Sequence, residues 1–200
     1  MRTRGHSASV ETTAQALGKA GEWGAVWVAI GLAGAAVDSA GRRRWLSAAA
    51  VAPASIGVNY LVKLAARRRR PQLRRLPPLA GAPSQLSFPS AHATSSLAAA
   101  TAMGRVSPGA RLPLYGLAAA LCLTRPYLGM HYPSDVLGGA ALGLVIGALW
   151  PGVRARDAEE RLIDLVADAA RSSQELGDRG DADGHPVRPG DARTGAERLD

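Results

Sequence analysis

The chain has few of the residues that build a disulfide framework or a large aromatic core. Its 200 residues include one Cys, one Phe, four Trp and four Tyr. A single thiol excludes an internal disulfide, and Cys122 lies in an apolar stretch where an inert buried thiol is a better interpretation than a catalytic one. The aromatic share of 4% means that any core is built from smaller aliphatic side chains.

The excess of positive charge does not indicate nucleic acid as a partner. The formal net charge is +8, but nearly all of it is Arg placed beside apolar blocks, without a recognisable nucleic-acid-binding motif. We therefore expect anionic lipid rather than nucleic acid. The first residues, which stay polar up to Gly21, do not resemble a cleavable secretion signal.

Five apolar blocks organise the first three quarters of the chain. They are residues 23–37, 45–64, 91–103, 112–123 and 136–150. Only the second has the ~20 residues that cross a bilayer without tilt. Trp45 and Trp150 would lie at one boundary, and Tyr60, Tyr127 and Tyr132 near the other, as aromatic belts do. We predict an all-α, polytopic membrane helix bundle with about five transmembrane helices; the alternative is a soluble bundle of Ala-rich helices.

The same pattern divides the chain into four segments. We predict a polar N-terminal segment at 1–21, a membrane domain at 22–150, an amphipathic helix at 151–176 and a short soluble, disordered tail at 177–200. In the third segment, apolar residues such as Leu162 and Val166 recur at helical spacing between charges. The last segment is rich in Gly, Asp and Arg and has few apolar residues.

Three polar clusters share one property, which is that each stands at the edge of an apolar block. They are Lys63 with Arg70 and Pro71, then Pro89 to His92, then Arg125 with His131 and Asp135. If the chain threads back and forth through its blocks, all three clusters fall on one face. Cations, imidazoles, a hydroxyl and a carboxylate at one place suit the binding of a phosphate and attack on its phosphorus.

The first cluster provides two cations. Lys63 and Arg70 are seven residues apart, which is two helical turns if the helix continues to Pro71, so both would face the same direction. The alternative for both is charge at the membrane surface. Most other arginines of the run 67–70 are expected to contact lipid head groups or solvent.

The second cluster reads as the start of a helix. Ser90 stands near the N-cap, where free backbone N–H groups and the helix dipole would help to hold phosphate oxygens. His92 lies one turn inside and is a candidate catalytic acid. Its alternative is a histidine that only caps a neighbouring carbonyl.

The third cluster places His131 four residues before Asp135. If Asp135 begins the last helix, its carboxylate can accept a hydrogen bond from one imidazole nitrogen and leave the other as a nucleophile. The alternative is a helix-capping Asp beside an unrelated His. Arg125 adds a third cation.

In order and spacing these clusters resemble the type 2 phosphatidic acid phosphatase superfamily, the lipid phosphate phosphatases. That signature is Lys, six residues, Arg-Pro; then Pro-Ser-Gly-His; then Ser-Arg, five residues, His, three residues, Asp. Residues 63–71, 89–92 and 124–135 match it. Ala91 stands where the family usually has Gly, and Thr124 where it usually has Ser, but neither change removes a reactive group.

The resemblance implies a metal-independent membrane phosphatase without a cofactor. His131, oriented by Asp135, would attack phosphorus to form a phosphohistidine, and His92 would protonate the leaving group. Four residues would hold the phosphate: Lys63, Arg70, Ser90 and Arg125. Three fixed cations can stabilise charge as Mg²⁺ does elsewhere, and the sequence shows no acidic cluster for a metal.

The substrate implied is a lipid-linked phosphate monoester or diphosphate at the membrane surface. Analogy with small actinobacterial members of the family suggests decaprenylphosphoryl phosphoribose. The alternative function is a non-catalytic membrane scaffold or anionic-lipid binder that retains the fold. Arginines lie both beside the site and on the far face, so the positive-inside rule leaves the side of the membrane open. The sequence does not indicate the oligomeric state.

Overall fold

The fold is a helical bundle, seen in a computed structural model that describes residues 7–72, 78–81, 84–153, 165–167 and 169–171. Within these residues six named α-helices follow one another: α1 (Ala8–Ala20), α2 (Ala25–Val37), α3 (Arg42–Ala66), α4 (Ala91–Val106), α5 (Arg111–Tyr127) and α6 (Pro133–Leu149). Short 3₁₀ turns, Glu22–Gly24 and Pro108–Ala110, precede α2 and α5. The described part of the chain contains no strand, only one isolated antiparallel bridge between Arg69 and Leu86. The prediction of an all-α fold is confirmed.

The five apolar blocks correspond to α2 through α6, and α1 is an additional helix inside the segment predicted to be polar. Ser7 caps α1 by accepting a hydrogen bond from the Val10 N–H at 3.4 Å. The helix packs against α5. Its buried positions, Ala14 and Gly18, are small, which lets the two helices approach closely.

Helix α4 is the centre of the bundle and packs against α3, α5 and α6. Ala98, Ala99 and Ala102 of α4 are fully buried, and the largest buried side chain is Trp27 of α2, whose indole N–H donates to Ser96 at 3.1 Å. The core is therefore made of small side chains around a few large ones, as the low aromatic content predicted.

Helix α6 approaches α4 through glycines. A Cβ on Gly139, Gly143 or Gly147 would collide with the backbone carbonyl of a residue on α4 or at its N-cap. The carbonyls in question belong to Ser90, Thr94 and Ala98. Small residues four apart form a flat stripe that allows two helix backbones to touch, as in membrane helix pairs.

Length and composition identify one described helix, Arg42–Ala66, as able to cross a membrane. The helices Ala8–Ala20 and Glu22–Val37 meet at a bend of 52°. If the two together form one membrane span, they would be the second. Helix α6 is apolar but shorter. The number of about five transmembrane helices therefore stays a prediction.

The chain divides into two units, Met1–Ala155 and Arg156–Asp200. The first contains all six helices. In the second, residues 165–167 and 169–171 are helical and exposed. The remainder of the amphipathic helix predicted from Arg156 onwards and the whole tail at 177–200 lie outside the described residues, so these boundaries stay predictions.

Candidate active site

Four helix ends meet at one end of the bundle and bring the three polar clusters together. The Lys63 ammonium of α3 donates to the Pro89 carbonyl at 3.0 Å, just before α4 begins. The Ser90 N–H donates to the Asp135 carbonyl of α6 at 2.9 Å. Because of these contacts, the alternation predicted from sequence brings Lys63, Ser90 and Asp135 to the same end of the bundle.

Helix α3 ends earlier than expected, and the idea of one helix continuing to Pro71 is wrong. Arg67 adopts a left-handed conformation with φ of 49° and closes the helix by donating its N–H to the Lys63 carbonyl. The chain then runs beside residues 85–87, where the Arg70 N–H donates to the Gln85 carbonyl at 3.2 Å. Arg70 therefore reaches the site from an extended segment.

Arg70 is held in place by backbone carbonyls and reaches the predicted nucleophile. Its Nε donates to the Ser84 carbonyl and its Nη1 to the Met130 carbonyl, both at 2.8 Å. The same Nη1 lies 3.2 Å from His131 Nε2. A guanidinium can only donate, so Nε2 must accept, and a neutral imidazole then carries its proton on Nδ1.

Asp135 lies on the protonated side of the His131 ring but is not hydrogen-bonded to it. The distance from Nδ1 to Asp135 Oδ2 is 3.7 Å, which is an ion-pair distance rather than a hydrogen bond. Oδ2 accepts instead from the Tyr132 N–H at 2.8 Å and so caps the start of α6. Asp135 therefore caps the helix and also faces His131, which combines the two readings considered from sequence.

The environment of His131 keeps its imidazole neutral. Burial lowers the pKa of His131 to about 4. The positive charges of Arg70, Arg125 and Lys63 act in the same direction, and Asp135 opposes them. A neutral imidazole with a lone pair on Nε2 is the form that can attack phosphorus.

His92 has the opposite proton arrangement. Its Nε2 lies 2.8 Å from the Gly18 carbonyl of α1. A carbonyl only accepts, so Nε2 carries a proton. This contact agrees with the alternative interpretation of His92 as a histidine that caps a carbonyl. It also places an N–H group on the side chain that was predicted to be the catalytic acid.

Buried polar atoms at this end of the bundle are left without a hydrogen-bond partner among the described residues. They include Asn59 Oδ1, Ser90 Oγ, Arg125 Nε and His131 Nδ1. Ser90 is the N-cap of α4, yet its side chain makes no capping bond. Since buried polar atoms are normally paired, donors such as Ser90 Oγ and Arg125 Nε suit an anionic ligand.

Three further residues support the site and were missed from sequence. Arg68, which we expected to contact lipid or solvent with its neighbours, donates to Asp135 Oδ1 at 2.9 Å. Asn59 donates to Thr94 Oγ1 at 2.9 Å and to the Pro89 carbonyl at 3.3 Å. Gly18 contributes only a carbonyl. The spacing of Asn59 one helical turn before Lys63 was the one signal available, because both lie on the same face of α3.

A separate cavity of about 450 Å³ lies between α1 and α5 and contains none of the predicted site residues. Its walls are mostly apolar and include Val10, Leu17 and Leu123, with Thr124 beside Arg125. We assign the chemistry to the polar cluster, because the polar side chains that line the cavity are hydroxyls of Ser, Thr and Tyr, with no imidazole or carboxylate among them to activate a nucleophile. Among the described residues, no group of three or more His, Cys, Asp or Glu side chains is placed to hold a metal ion.

Comparison with known proteins gives consistent matches. A family model described as the PAP2 superfamily matches residues 44–157. The decaprenylphosphoryl-5-phosphoribose phosphatase of Mycobacterium tuberculosis is 44% identical over 137 residues, which are 68% of this chain and 76% of that protein. The protein of the same name from Mycolicibacterium smegmatis is 42% identical over 130 residues, 65% of this chain and 71% of that protein.

A solved structure shows the same fold. It is the crystal structure of a transmembrane PAP2 type phosphatidylglycerolphosphate phosphatase from Bacillus subtilis. The TM-score is 0.60 at 23% sequence identity, over 77% of this chain and 79% of that chain. At this identity the likeness concerns the arrangement of helices.

Proposed function

This chain belongs to the PAP2 superfamily, and from that premise we propose that it removes the terminal phosphate of a polyprenyl-linked phosphoribose through a phosphohistidine. One observation carries the proposal: Arg70 Nη1 lies 3.2 Å from His131 Nε2 and defines that nitrogen as the one with the lone pair. A phosphate bound to Arg70 is therefore brought next to the nucleophilic atom.

The chemistry follows from the proton positions. Arg70 exchanges its contact with Nε2 for one with a phosphate oxygen, and the Nε2 lone pair attacks phosphorus. The bond from phosphorus to the leaving oxygen breaks. His92, protonated on both ring nitrogens once the phosphate dianion is bound, leaves the Gly18 carbonyl, transfers its Nε2 proton to that oxygen and becomes a neutral imidazole. Water then attacks the phosphohistidine, gives its proton to His92, and releases inorganic phosphate and neutral His131.

Charge stabilisation comes from the three cations and from the start of α4. Lys63 and Arg70 are already hydrogen-bonded to backbone carbonyls, and Arg125 is buried beside them. Little reorganisation of these cations is therefore needed as charge builds up on the phosphate oxygens. Ser90 adds a hydroxyl that is buried and unpaired among the described residues. We expect no metal requirement for this reason.

Two observations support a polyprenyl phosphoribose as the substrate. The relatives at 44% and 42% identity are named as decaprenylphosphoryl-5-phosphoribose phosphatases. The polar cluster also lies at the end of an apolar bundle, where a polyprenyl chain can stay in lipid while its phosphoribose reaches water. The scissile bond is then an ordinary alkyl phosphate ester, which needs protonation of its leaving oxygen.

The outer surface of the bundle supports a multi-pass membrane location. Large aliphatic side chains on three helices are exposed, including Leu61 of α3 at 68%, Leu112 of α5 at 85% and Leu137 of α6 at 71%. Apolar surface spread over several neighbouring helices is typical of proteins covered by lipid. We propose that the bilayer covers these faces and that the site lies at head-group level.

The test is phosphate release by the detergent-purified protein from a panel of lipids: decaprenylphosphoryl-5-phosphoribose, phosphatidylglycerolphosphate, phosphatidate and undecaprenyl diphosphate. We expect the highest kcat/KM for the first and unchanged activity in EDTA. His131→Ala, prepared identically, subtracts contaminating phosphatases. A higher kcat/KM on a glycerolipid would contradict the substrate, activity restored only by Mg²⁺ would contradict the mechanism, and no release from any lipid would favour the scaffold alternative.

A further inference from the structure

Arg68 makes three contacts around the residue that faces the nucleophile. Its Nη1 donates to Asp135 Oδ1 at 2.9 Å and to Ser134 Oγ at 2.8 Å. Its guanidinium carbon lies 4.2 Å from the centroid of the Tyr132 ring, at cation–π distance. The three partners, Tyr132, Ser134 and Asp135, lie within four residues at the start of α6, immediately after His131.

The Arg68 backbone is fixed as well as its side chain. The Ser87 N–H donates to the Arg68 carbonyl at 2.7 Å, and the Ser87 hydroxyl donates to the Arg69 carbonyl at 3.1 Å. Ser87 is fully buried and lies three residues before Ser90. Arg68 is therefore held between the segment that leads into α4 and the first turn of α6.

The two carboxylate oxygens of Asp135 contact different partners. Oδ2 accepts from the Tyr132 N–H and faces His131 Nδ1 at 3.7 Å, while Oδ1 is taken by Arg68. Asp135 is fully buried, whereas the Arg68 side chain is 40% exposed. Without Arg68, a buried carboxylate would lose its closest cation and could turn about its last side-chain bond.

We propose that Arg68 is a positioning residue for the nucleophile, an inference that rests on the proposed function. By holding Oδ1, it keeps Oδ2 directed at His131 Nδ1. That contact matters most when Nε2 bonds to phosphorus, because the ring then becomes positively charged and its Nδ1 proton needs a nearby anion. Arg68 thus acts on the chemical step through Asp135 and does not hold the phosphate.

The test compares Arg68→Ala with Arg69→Ala. Arg69 is the exposed neighbour, so its replacement makes the same change in charge outside the Asp135 contacts. We expect Arg68→Ala to slow phosphohistidine formation, followed by rapid quench, about 10- to 100-fold, as is typical for partners that orient a reactive group. The KM and the inhibition constant of inorganic phosphate should change less than about threefold. Arg69→Ala should resemble the wild type.

Chemical rescue separates positioning from folding. Guanidinium ion at millimolar concentration should restore part of the activity of Arg68→Ala, because the site is partly exposed, and should not restore Asp135→Asn. Arg68→Lys should retain more activity than Arg68→Ala. If Arg68→Ala does not fold in detergent, Arg68→Lys and Ser134→Ala test the same contacts with smaller changes, and full activity in both would overturn the inference.

Other outcomes also overturn it. A raised KM or phosphate inhibition constant with unchanged phosphohistidine formation would make Arg68 a substrate contact, and equal losses in Arg68→Ala and Arg69→Ala would indicate a general effect of charge. If the wild type hydrolyses no lipid phosphate, the proposed function fails instead. The inference is then read from ¹⁵N NMR of His131, whose Nδ1–H form should lose population in Arg68→Ala only.

Discussion

The two histidines of the site are protonated on different ring nitrogens, His131 on Nδ1 and His92 on Nε2. His131 Nε2 accepts from Arg70, whereas His92 Nε2 donates to the Gly18 carbonyl. Each tautomer follows from a partner that can only donate or only accept. In the proposed mechanism one residue type can therefore provide both the nucleophile and the acid, because the neighbours of the two histidines differ.

Because His131 is the proposed nucleophile and His92 the proposed acid, we predict that replacing them affects turnover of different substrates differently. His131→Ala should abolish turnover and phosphoenzyme formation on every substrate, a loss above about 1000-fold, because no other nucleophile is placed to attack. His92→Ala should impair a lipid phosphate far more than p-nitrophenyl phosphate, whose phenolate leaves without a proton. Rapid quench with labelled substrate measures both.

Two controls make that comparison decisive. The variants must elute as the wild type does in detergent, and Cys122→Ser serves as an exchange of a buried residue outside the site. Phosphoenzyme still trapped in His131→Ala, or equal losses of activity on the two substrates in His92→Ala, would show that the catalytic roles are assigned wrongly.

The low pKa of His131 predicts that its imidazole, the proposed nucleophile, stays neutral over a wide pH range. Burial lowers the pKa of His131 to about 4, so the neutral form dominates above that pH instead of above the usual 6.5. Activity lost through protonation of His131 should therefore set in near pH 4. A ¹⁵N NMR titration of the free protein measures this pKa directly, and a value at or above 6.5 would contradict it.

Motif spacing selected the candidate site residues, but it could not distinguish among adjacent arginines. Lys63 and Arg70 stood out because their separation fits a known pattern, and Arg68 did not because it lies within the variable part of that pattern. Its role depends on where the chain turns after Arg67. A single left-handed residue determines that turn, and sequence alone does not reveal it.

At the scale of elements, the glycine stripe of α6 controls how closely that helix approaches the site. Gly139 lies against the Ser90 backbone, and Gly143 and Gly147 continue the same contact along α4. Any added volume pushes α6 outward, and Asp135 moves with it. The stripe therefore links helix packing to the position of Asp135 beside His131, the proposed nucleophile.

We predict that Gly143→Ala destabilises the protein by about 1–3 kcal/mol, the usual cost of overpacking. Gly116→Ala of α5 is the matched control, since a Cβ there meets nothing within 4 Å, and it should be neutral or stabilising by up to about 1 kcal/mol. Thermal unfolding in detergent, followed by circular dichroism, compares them. Equal melting temperatures for the two variants would show that α4 and α6 do not need the stripe.

The helices themselves were largely predictable, because each apolar block became one. Helix α1 was not, because its sequence is rich in polar residues and its position depends on contacts distant in the chain. Gln15 donates to the Leu79 carbonyl at 3.0 Å, and a Cβ on Gly18 would crowd the side chains of Arg125 and Leu128. Such partners have no signature in the local sequence.

At the scale of the whole molecule, three short motifs were enough to predict the family and the reaction class. Both are confirmed by the match to residues 44–157 and by relatives that are named as phosphatases. The predicted number of about five membrane crossings is not confirmed by these comparisons. Helices α4 and α5 are short, and α4 is rich in Ala, so length and composition do not separate a membrane helix from a core helix.

Cysteine labelling in cells tests the multi-pass arrangement. In a Cys122→Ser background, single cysteines at Leu79 and Gly109 lie at the two ends of the predicted bundle. We expect an impermeant maleimide to label only one of them in intact cells and both after permeabilisation. Labelling of both in intact cells, or of neither, would contradict a bundle that crosses the bilayer, and the labelled position shows which side the site faces.

The carbonyl contacts of Lys63 and Arg70 have a consequence for which lipids can compete. Both cations are already hydrogen-bonded to backbone oxygens, of Pro89 for the first and of Ser84 and Met130 for the second. An incoming anion gains only the difference between its own bonds and those that it displaces. A terminal phosphate with two negative charges gains much more by this exchange than a phosphodiester with one. We therefore expect membrane phospholipids, which are phosphodiesters, to be poor competitors for the proposed site.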